Sequence, residues 1–292
     1  MMHDDCQPAE PALEKSNGKP CVALMGEFSA GKSTLLNLLL AQNPLPMRVT
    51  ATNVPPVWIS YGNPAAARVG HDGSVEKIEF SAVSDTSLKQ TKYIRLWLVS
   101  DALEICDLID MPGISDPNLP RDMWMDLMDI VDSVIWCTHA TQAWRQSESS
   151  VWDDVREQTN GNNLLVVTQF DKIREESDRR RLLARLEKET RGLFKGVFPV
   201  ALIEAIRAKD KSEWAQSGAS AFSERLVDLL LGNVDETDAK NQVTSDKPSF
   251  GRCDPQASSK MEQSARMVKP RRIVSAPSRT SAKASAHSTA EQ

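Results

Sequence analysis

The sequence lacks the features that mark several large classes of protein. None of its five cysteines belongs to a Cys-x-x-Cys pair, and its four histidines share no spacing typical of metal ligands. These absences argue against a disulfide framework or a zinc site and favour a reducing compartment. No apolar run approaches the roughly 20 residues that cross a bilayer, and residues 1–11 hold no apolar signal segment. We therefore expect a cytoplasmic protein.

Charge is unevenly distributed along the chain. The whole sequence has a formal charge of −5, whereas residues 247–292 hold nine Lys and Arg against three acids, a local net of +6 (9 − 3). Residues 1–246 therefore carry −11 (−5 − 6). The acidic body argues against a nucleic-acid partner. The basic end is either a solvated tail or a segment that contacts an anionic membrane or a partner protein.

Short apolar segments alternate with helical ones between residues 20 and 232. Strands are predicted over residues 21–25, 57–61, 94–99, 103–109, 133–138, 164–168 and 197–203, with a hairpin turning at residues 71–73. Helices are predicted over residues 33–41, 119–131, 147–158 and 173–194, and a closing helix ends near Gly232. This alternation predicts an α/β domain with a mostly parallel central sheet and helices on both faces. Residues 1–19 are predicted to be a flexible arm, and residues 233–292 a disordered polar, basic tail.

Residues 26–33, Gly-Glu-Phe-Ser-Ala-Gly-Lys-Ser, lie between the first predicted strand and a predicted helix. They match the Gly-x-x-x-x-Gly-Lys-[Ser/Thr] phosphate loop. Glycines permit its tight bend, and its N–H groups together with the helix N-terminus attract phosphate. Lys32 is expected to reach the β- and γ-phosphates, and Ser33 to ligate Mg²⁺. The segment therefore predicts a magnesium-dependent nucleotide site.

Two acids at the ends of predicted strands complete this site. Asp110, in Asp-Met-Pro-Gly, lies 78 residues after Lys32 (110 − 32) and is expected to hold Mg²⁺ through water, while Gly113 contacts the γ-phosphate. Alone, this segment is equally well a turn. Asp171 ends the segment Thr-Gln-Phe-Asp, and its carboxylate can accept both ring-edge donors of guanine, which adenine does not offer. The alternative is that Asp171 caps the following helix.

A threonine from a loop between the phosphate loop and Asp110 is needed to reach Mg²⁺ and the γ-phosphate. Residues 48–55 offer Thr50 and Thr52. Each of the two is also compatible with an ordinary loop residue, since threonine is common in turns. The residues alone leave the choice open.

The phosphate loop and the Thr-Leu-Leu-Asn that follows it resemble those of the dynamin superfamily, especially its bacterial members. Asp-Met-Pro-Gly is similar to the family's Asp-Leu-Pro-Gly. The resemblance covers about residues 20–232. It implies a P-loop G domain of the dynamin type that binds GTP or GDP with Mg²⁺ and hydrolyses GTP to GDP and phosphate. Because the family's switch threonine precedes a proline by three residues, it implies Thr52, before Pro55, instead of Thr50.

The same resemblance assigns roles to individual residues. It implies catalytic roles for Lys32, Ser29 and Thr52, and Mg²⁺ ligation by Ser33, Thr52 and Asp110. Nucleotide contacts are implied for Gly26, Glu27, Phe28, Ser29, Ala30, Gly31, Lys32, Ser33, Thr34, Asp110, Gly113, Thr168, Gln169 and Asp171.

Three features depart from the family's pattern. Gln169 stands where the guanine motif has a lysine whose stem packs on the base. Phe28 stands where eukaryotic dynamins place a glutamine that orients water. The predicted helices stop at Gly232, where large dynamins continue into long helical assembly segments. Two alternatives to an efficient GTPase follow: a slowly hydrolysing switch that recruits a partner, and a ribosome- or RNA-associated GTPase.

The expected partners follow from the nucleotide face and the tail. The first is a guanine nucleotide. The second is either another copy of the chain, bound across the nucleotide face, or a helical partner protein. The third is the inner face of an anionic membrane, which the basic tail would contact. Residues 139–145 are predicted to be a surface loop anchored by Trp144. The alternative is that they face the nucleotide or a second subunit.

Overall fold

A nine-stranded sheet organises the part of the chain that the computed structural model describes, residues 18–41, 55–115 and 122–232. The chain divides into two units, residues 1–241 and 242–292, and all described residues belong to the first. The strands are β1 (Cys21–Gly26), β2 (Val57–Tyr61), β3 (Ala65–Gly70), β4 (Val75–Ile78), β5 (Thr91–Leu98), β6 (Asp107–Asp110), β7 (Ser133–His139), β8 (Leu164–Thr168) and β9 (Val197–Val200). Their order across the sheet is β4-β3-β5-β2-β6-β1-β7-β8-β9.

The strands around the phosphate loop are all parallel. β6, β1, β7, β8 and β9 pair in the same direction, so their carboxyl ends share one edge of the sheet. β2 is antiparallel to β6 but parallel to β5, and β3 runs antiparallel to both β4 and β5. Every residue of β1 is buried, as expected of a central strand covered on both faces. The predicted mostly parallel sheet is confirmed.

Helices cover both faces of this sheet. They are α1 (Lys32–Leu39), α2 (Asp101–Ile105), α3 (Asp122–Met128), α4 (Gln146–Val155), α5 (Glu176–Glu189), α6 (Leu202–Arg207), α7 (Lys211–Gln216) and α8 (Ala219–Leu230). Alternate residues of β1 enter two separate cores, Val22 and Leu24 in one and Ala23 and Met25 in the other. The first core is completed by α1, α6 and α8, and the second by α3, α4 and α5. Among the described residues, no helix is long and apolar enough to cross a membrane.

Several predicted elements begin or end at different residues from those expected, and three of them differ for a local reason. Residues 101–105, expected in part to be strand, form the short helix α2, and strand β6 begins only at Asp107. The long helix predicted over residues 173–194 is α5 over 176–189, because residues 170–172 form a 3-10 turn and the chain bends again at Gly192. The last strand stops at Val200, since α6 begins at Leu202. In each of these three a turn or a short helix interrupts the predicted element.

The chain returns to the sheet through a glycine that lies against β9. Gly218 precedes α8 with a left-handed φ of 83°, and a Cβ built there would stand 2.1 Å from the carbonyl oxygen of Pro199. A side chain cannot fit without moving either backbone. This contact therefore fixes the distance between α8 and β9.

Gly218→Ala should destabilise the domain more than Gly192→Ala. Gly192 has a similar φ of 77°, but a Cβ there meets nothing within 4 Å. Both changes carry the cost of a left-handed alanine, about 1–2 kcal/mol, and the clash at Gly218 should add about 1–3 kcal/mol. Urea unfolding of the two variants measures the difference. Equal free energies of unfolding would show that the close approach to Pro199 does not constrain the fold.

Candidate functional site

The phosphate loop lies at the shared carboxyl edge of the parallel strands, between β1 and α1. Gly26 ends β1 with a φ of 139°, and a Cβ there would stand 2.1 Å from the carbonyl oxygen of Cys137 in β7. Gly31 caps α1 in the left-handed region at φ 89°. Glycine is therefore required at Gly26 by the packing of β7 and at Gly31 by the turn into the helix.

Lys32 folds back onto the loop that precedes it. Its Nζ donates to the carbonyl oxygens of Gly26 at 3.1 Å and Glu27 at 2.8 Å, and only 8% of the residue is exposed. Burial lowers the pKa of the Lys32 ammonium, and the nearby charge of Asp110 opposes this shift. A cation held this way gains from an anion beside it, because a buried charge is costly until it is paired. Lys32 is thus placed to receive phosphate oxygens.

Asp110 and Ser33 form a buried pair beside Lys32. The Ser33 hydroxyl donates to Asp110 Oδ2 at 3.0 Å, whereas the buried Oδ1 makes no hydrogen bond within the described part of the chain. Burial raises the pKa of Asp110 to about 6, although Lys32 and the Ser33 hydroxyl both lower it. A carboxylate oxygen without a partner, next to a hydroxyl, fits a hard cation such as Mg²⁺.

The residues that could hold Mg²⁺ are therefore Ser33 and Asp110. No group of three or more His, Cys, Asp or Glu suited to a metal is found in residues 18–41, 55–115 and 122–232. Mg²⁺ commonly completes its coordination with substrate phosphates and water, so two protein groups are sufficient. Thr52, the third predicted ligand, and its alternative Thr50 lie outside the described residues.

The segment after β6 lies directly against the phosphate loop. A Cβ built on Gly113 would be 2.8 Å from Phe28 Cα, and the Phe28 N–H donates to Ser115 Oγ at 3.2 Å. The structure thus brings Gly113 beside the loop, and its contact with the γ-phosphate stays a prediction. The Phe28 side chain is 55% exposed at this face and carries no polar atom.

The predicted guanine motif is tied to the phosphate loop by two side chains. The buried Thr168 hydroxyl donates to the Ala30 carbonyl oxygen at 2.7 Å and lies 3.3 Å from that of Thr138. Gln169, at φ 53°, donates from Nε2 to the Ser29 carbonyl oxygen at 3.3 Å, and its Oε1 accepts from Lys172. Two hydrogen bonds therefore join the predicted base motif to the phosphate loop.

Asp171 follows these two residues and is free to bind a ligand. It lies exposed in the 3-10 turn Phe170–Lys172, and its carboxylate makes no hydrogen bond or ion pair among the described residues. Helix α5 begins at Glu176 after the N-cap Glu175, so Asp171 does not cap it. The capping alternative is wrong, which leaves the carboxylate available for a base edge.

The partners of Glu27 were not predicted from the sequence. The Glu27 carboxylate accepts from Arg145 Nη1 at 3.1 Å and from Ser147 Oγ at 2.5 Å, both at the start of α4. Trp144 is indeed buried, with its ring 6.0 Å from that of Trp136, so the predicted anchor of this loop is confirmed. An acidic residue in a phosphate loop needs a cation nearby, and this was the one available indication in the sequence. The sequence did not indicate that Arg145 is that cation.

Comparison with known proteins gives one family. The sequence model of the dynamin family matches residues 22–170. Dynamin-like protein 2 of Campylobacter jejuni subsp. jejuni serotype O:23/36 (strain 81-176) is 26% identical over 229 residues, which cover 76% of this chain and 37% of that protein.

Two solved structures share the fold. Both come from an oligomerised bacterial dynamin pair, described as providing a mechanism for the long-range sensing and tethering of membranes. Their TM-scores are 0.53 and 0.54 at 21% and 22% identity, and each match covers 77% of this chain and 36% of the solved chain. The chain thus spans little more than a third of the length of these relatives.

Thr168→Val should weaken GDP binding while Thr168→Ser should not. Valine keeps the side-chain volume but removes the hydroxyl that holds the Ala30 carbonyl, and one such bond contributes about 0.5–1.5 kcal/mol, or roughly twofold to twelvefold in affinity. Isothermal titration calorimetry with GDP measures the change. Matching dissociation constants for the two variants would show that this hydroxyl does not organise the loop.

Proposed function

The chain belongs to the dynamin family, and from this premise we propose that it binds GTP with Mg²⁺ and hydrolyses it to GDP and phosphate. The observation that carries the proposal is the meeting of three groups at one sheet edge. These are the buried Lys32 ammonium, the Ser33–Asp110 pair with a carboxylate oxygen left without a partner, and the unengaged Asp171 carboxylate. GTP with Mg²⁺ has a complementary group for each of them: phosphate oxygens for Lys32, the metal ion for the Ser33–Asp110 pair, and the guanine edge for Asp171.

Phosphate binding would use the loop backbone and Lys32. Lys32 Nζ would exchange part of its bonding to the Gly26 and Glu27 carbonyls for the β- and γ-phosphate oxygens. The N-terminus of α1 points its unbonded N–H groups at the same place, which favours an anion. Ser33 and Asp110 would hold Mg²⁺, the latter through water, and the bound ion would neutralise charge on the phosphate oxygens.

Base recognition would rest on Asp171. Its two oxygens can accept both donors on the guanine edge, whereas adenine offers no such pair. Thr168 and Gln169 would hold the motif in place through their bonds to the phosphate loop. The Gln169 side chain, engaged with Ser29 and Lys172, would occupy the space of the lysine found in the family's motif.

Hydrolysis would proceed by in-line attack of water on the γ-phosphate. The Gly113 N–H would contact that phosphate, and Ser29 would have its catalytic role beside it. Thr52, in the loop at residues 48–55, would hold the water and Mg²⁺. Phe28 cannot polarise a water molecule, because its exposed side chain is purely apolar. This observation favours a second candidate function, a slowly hydrolysing switch whose GTP form recruits a partner and whose turnover that partner stimulates.

The proposal also covers the partners of the chain and its location in the cell. The solved relatives belong to an oligomerised pair, and the chain matches about a third of each. We propose contact of this chain with a second copy across the nucleotide face or with a helical partner protein. Residues 247–292 would attract an anionic membrane surface from the cytoplasmic side, since each Lys or Arg near such a surface contributes about 1 kcal/mol.

Asp171→Asn should change the nucleotide preference of the protein from guanine to xanthine nucleotides. Asparagine supplies a donor for the ring-edge oxygen of xanthine and loses one acceptor for guanine. Affinity for GTP should fall about a hundredfold, or about 2.8 kcal/mol, which is within the range for one lost hydrogen bond to a charged group. The measurement is single-turnover phosphate release from GTP, XTP and ATP in the presence of Mg²⁺.

Lys32→Ala is the matched inactive control in this assay. It should release no phosphate from any of the three nucleotides while melting as a folded domain by circular dichroism. If the wild-type protein turns over ATP as fast as GTP, or Asp171→Asn keeps the wild-type preference, Asp171 does not select the base. Burst release without added partner would favour the enzyme, and release only after a partner is added would favour the switch.

A further inference from the structure

An acidic side chain sits in the loop that is expected to hold phosphates. Glu27 is the second residue of the phosphate loop, and its own carbonyl oxygen accepts from Lys32. Its carboxylate is turned to the start of α4, where it accepts from Arg145 Nη1 and Ser147 Oγ. The Glu27 side chain is only 16% exposed, so it is held in this orientation and is not left in solvent.

The backbone of Arg145 is held in place by a network of buried hydrogen bonds. Its N–H donates at 2.9 Å to the carboxylate of Glu148, a residue only 2% exposed, which also accepts from Thr138 Oγ1 and Trp136 Nε1, both at 3.0 Å. The Trp144 N–H donates to the same Thr138 hydroxyl at 2.9 Å. These buried bonds fix the backbone of Arg145 and direct its guanidinium to Glu27.

Two carboxylates therefore flank Arg145. Burial is the main reason that the pKa of Glu148 is raised, and the negative charge of Glu27 adds to that shift. The N-terminus of α4 lies at the same place and favours a carboxylate. Without the guanidinium, Glu27 would lose its ion pair and face another acid on this side, and only the Ser147 hydroxyl and the helix N-terminus would hold it at α4.

We propose that Arg145 and Ser147 are positioning residues that hold the Glu27 carboxylate against α4 and neutralise it, and thereby allow the loop to accept the γ-phosphate of GTP. The inference rests on the proposed function. GTP carries a phosphate group that GDP lacks, so a released Glu27 carboxylate in the loop repels GTP more than GDP. The pair Arg145–Glu27 thus sets the preference for the triphosphate.

Arg145→Ala should lower affinity for a non-hydrolysable GTP analogue by about threefold to tenfold more than affinity for GDP, the range expected for one added charge near the phosphates in a partly screened site. Arg145→Lys, which keeps the cation, should restore most of the difference. Arg156→Ala is the matched control: Arg156 follows the same helix, pairs with Asp153, and has a side chain 45% exposed against 44% for Arg145. It should leave the ratio of the two dissociation constants unchanged.

The decisive comparison repeats Arg145→Ala in a Glu27→Gln background. With no carboxylate to hold, the loss of Arg145 should change the ratio by less than twofold. A loss as large as in the wild-type background would show that Arg145 binds the phosphates directly, and an unchanged ratio in Arg145→Ala alone would show that the pair sets no preference. Either result overturns the inference while leaving the proposed function intact.

Two further readouts keep these failures distinct. If the wild-type protein binds neither nucleotide, the proposed function fails and the inference fails with it. If Arg145→Ala melts below the assay temperature, Arg145→Lys and Glu27→Gln still decide: Glu27→Gln should bind the analogue at least as tightly as the wild type relative to GDP. Weaker relative binding by Glu27→Gln would contradict the proposal.

Discussion

The buried ammonium of Lys32 is the constraint on which the rest of the site depends. An ion removed from water costs several kcal/mol unless nearby groups compensate for the loss. Here two loop carbonyls and the Asp110 carboxylate do so, and each compensating group belongs to an element that must then be held in place. The carbonyls require the tight bend at Gly26, and Asp110 requires β6 to lie beside β1. A triphosphate with Mg²⁺ would supply what this arrangement lacks, an anion for Lys32 and a cation for the buried Asp110 oxygen.

The phosphate loop is held by two strands and a helix that lie far from it in the sequence. β7 contacts it through the Cys137 carbonyl under Gly26, β8 bonds it through Thr168, and the start of α4 holds Glu27. The second of these contacts also carries the base motif. The predicted phosphate loop and base motif are therefore joined by a short, buried hydrogen bond. Two cores on opposite faces of the sheet support the strands that bear them.

How much could be predicted from the sequence depends on the distance along the chain over which each feature is determined. The phosphate loop and most strands could be predicted, because their patterns are local and their physical reasons lie within a few residues. Short α2 could not, since five residues inside an apolar stretch give no periodic signal. The bond from Arg145 to Glu27 spans 118 positions, and that from Thr168 to Ala30 spans 138. Partners this far apart in the sequence can be identified only once the order of the strands in the sheet is known. The base contact of Asp171 stays a prediction, whereas its capping alternative could be rejected once the start of α5 was known.

A crystal structure of the chain bound to Mg²⁺ and a non-hydrolysable GTP analogue tests the central claim most directly. We predict that Lys32 Nζ contacts the β- and γ-phosphates, that Ser33 Oγ leaves Asp110 to ligate Mg²⁺, and that Asp171 accepts two hydrogen bonds from the guanine edge. A nucleotide bound away from residues 26–33, or Mg²⁺ bound elsewhere with the Ser33–Asp110 hydrogen bond intact, would contradict the account.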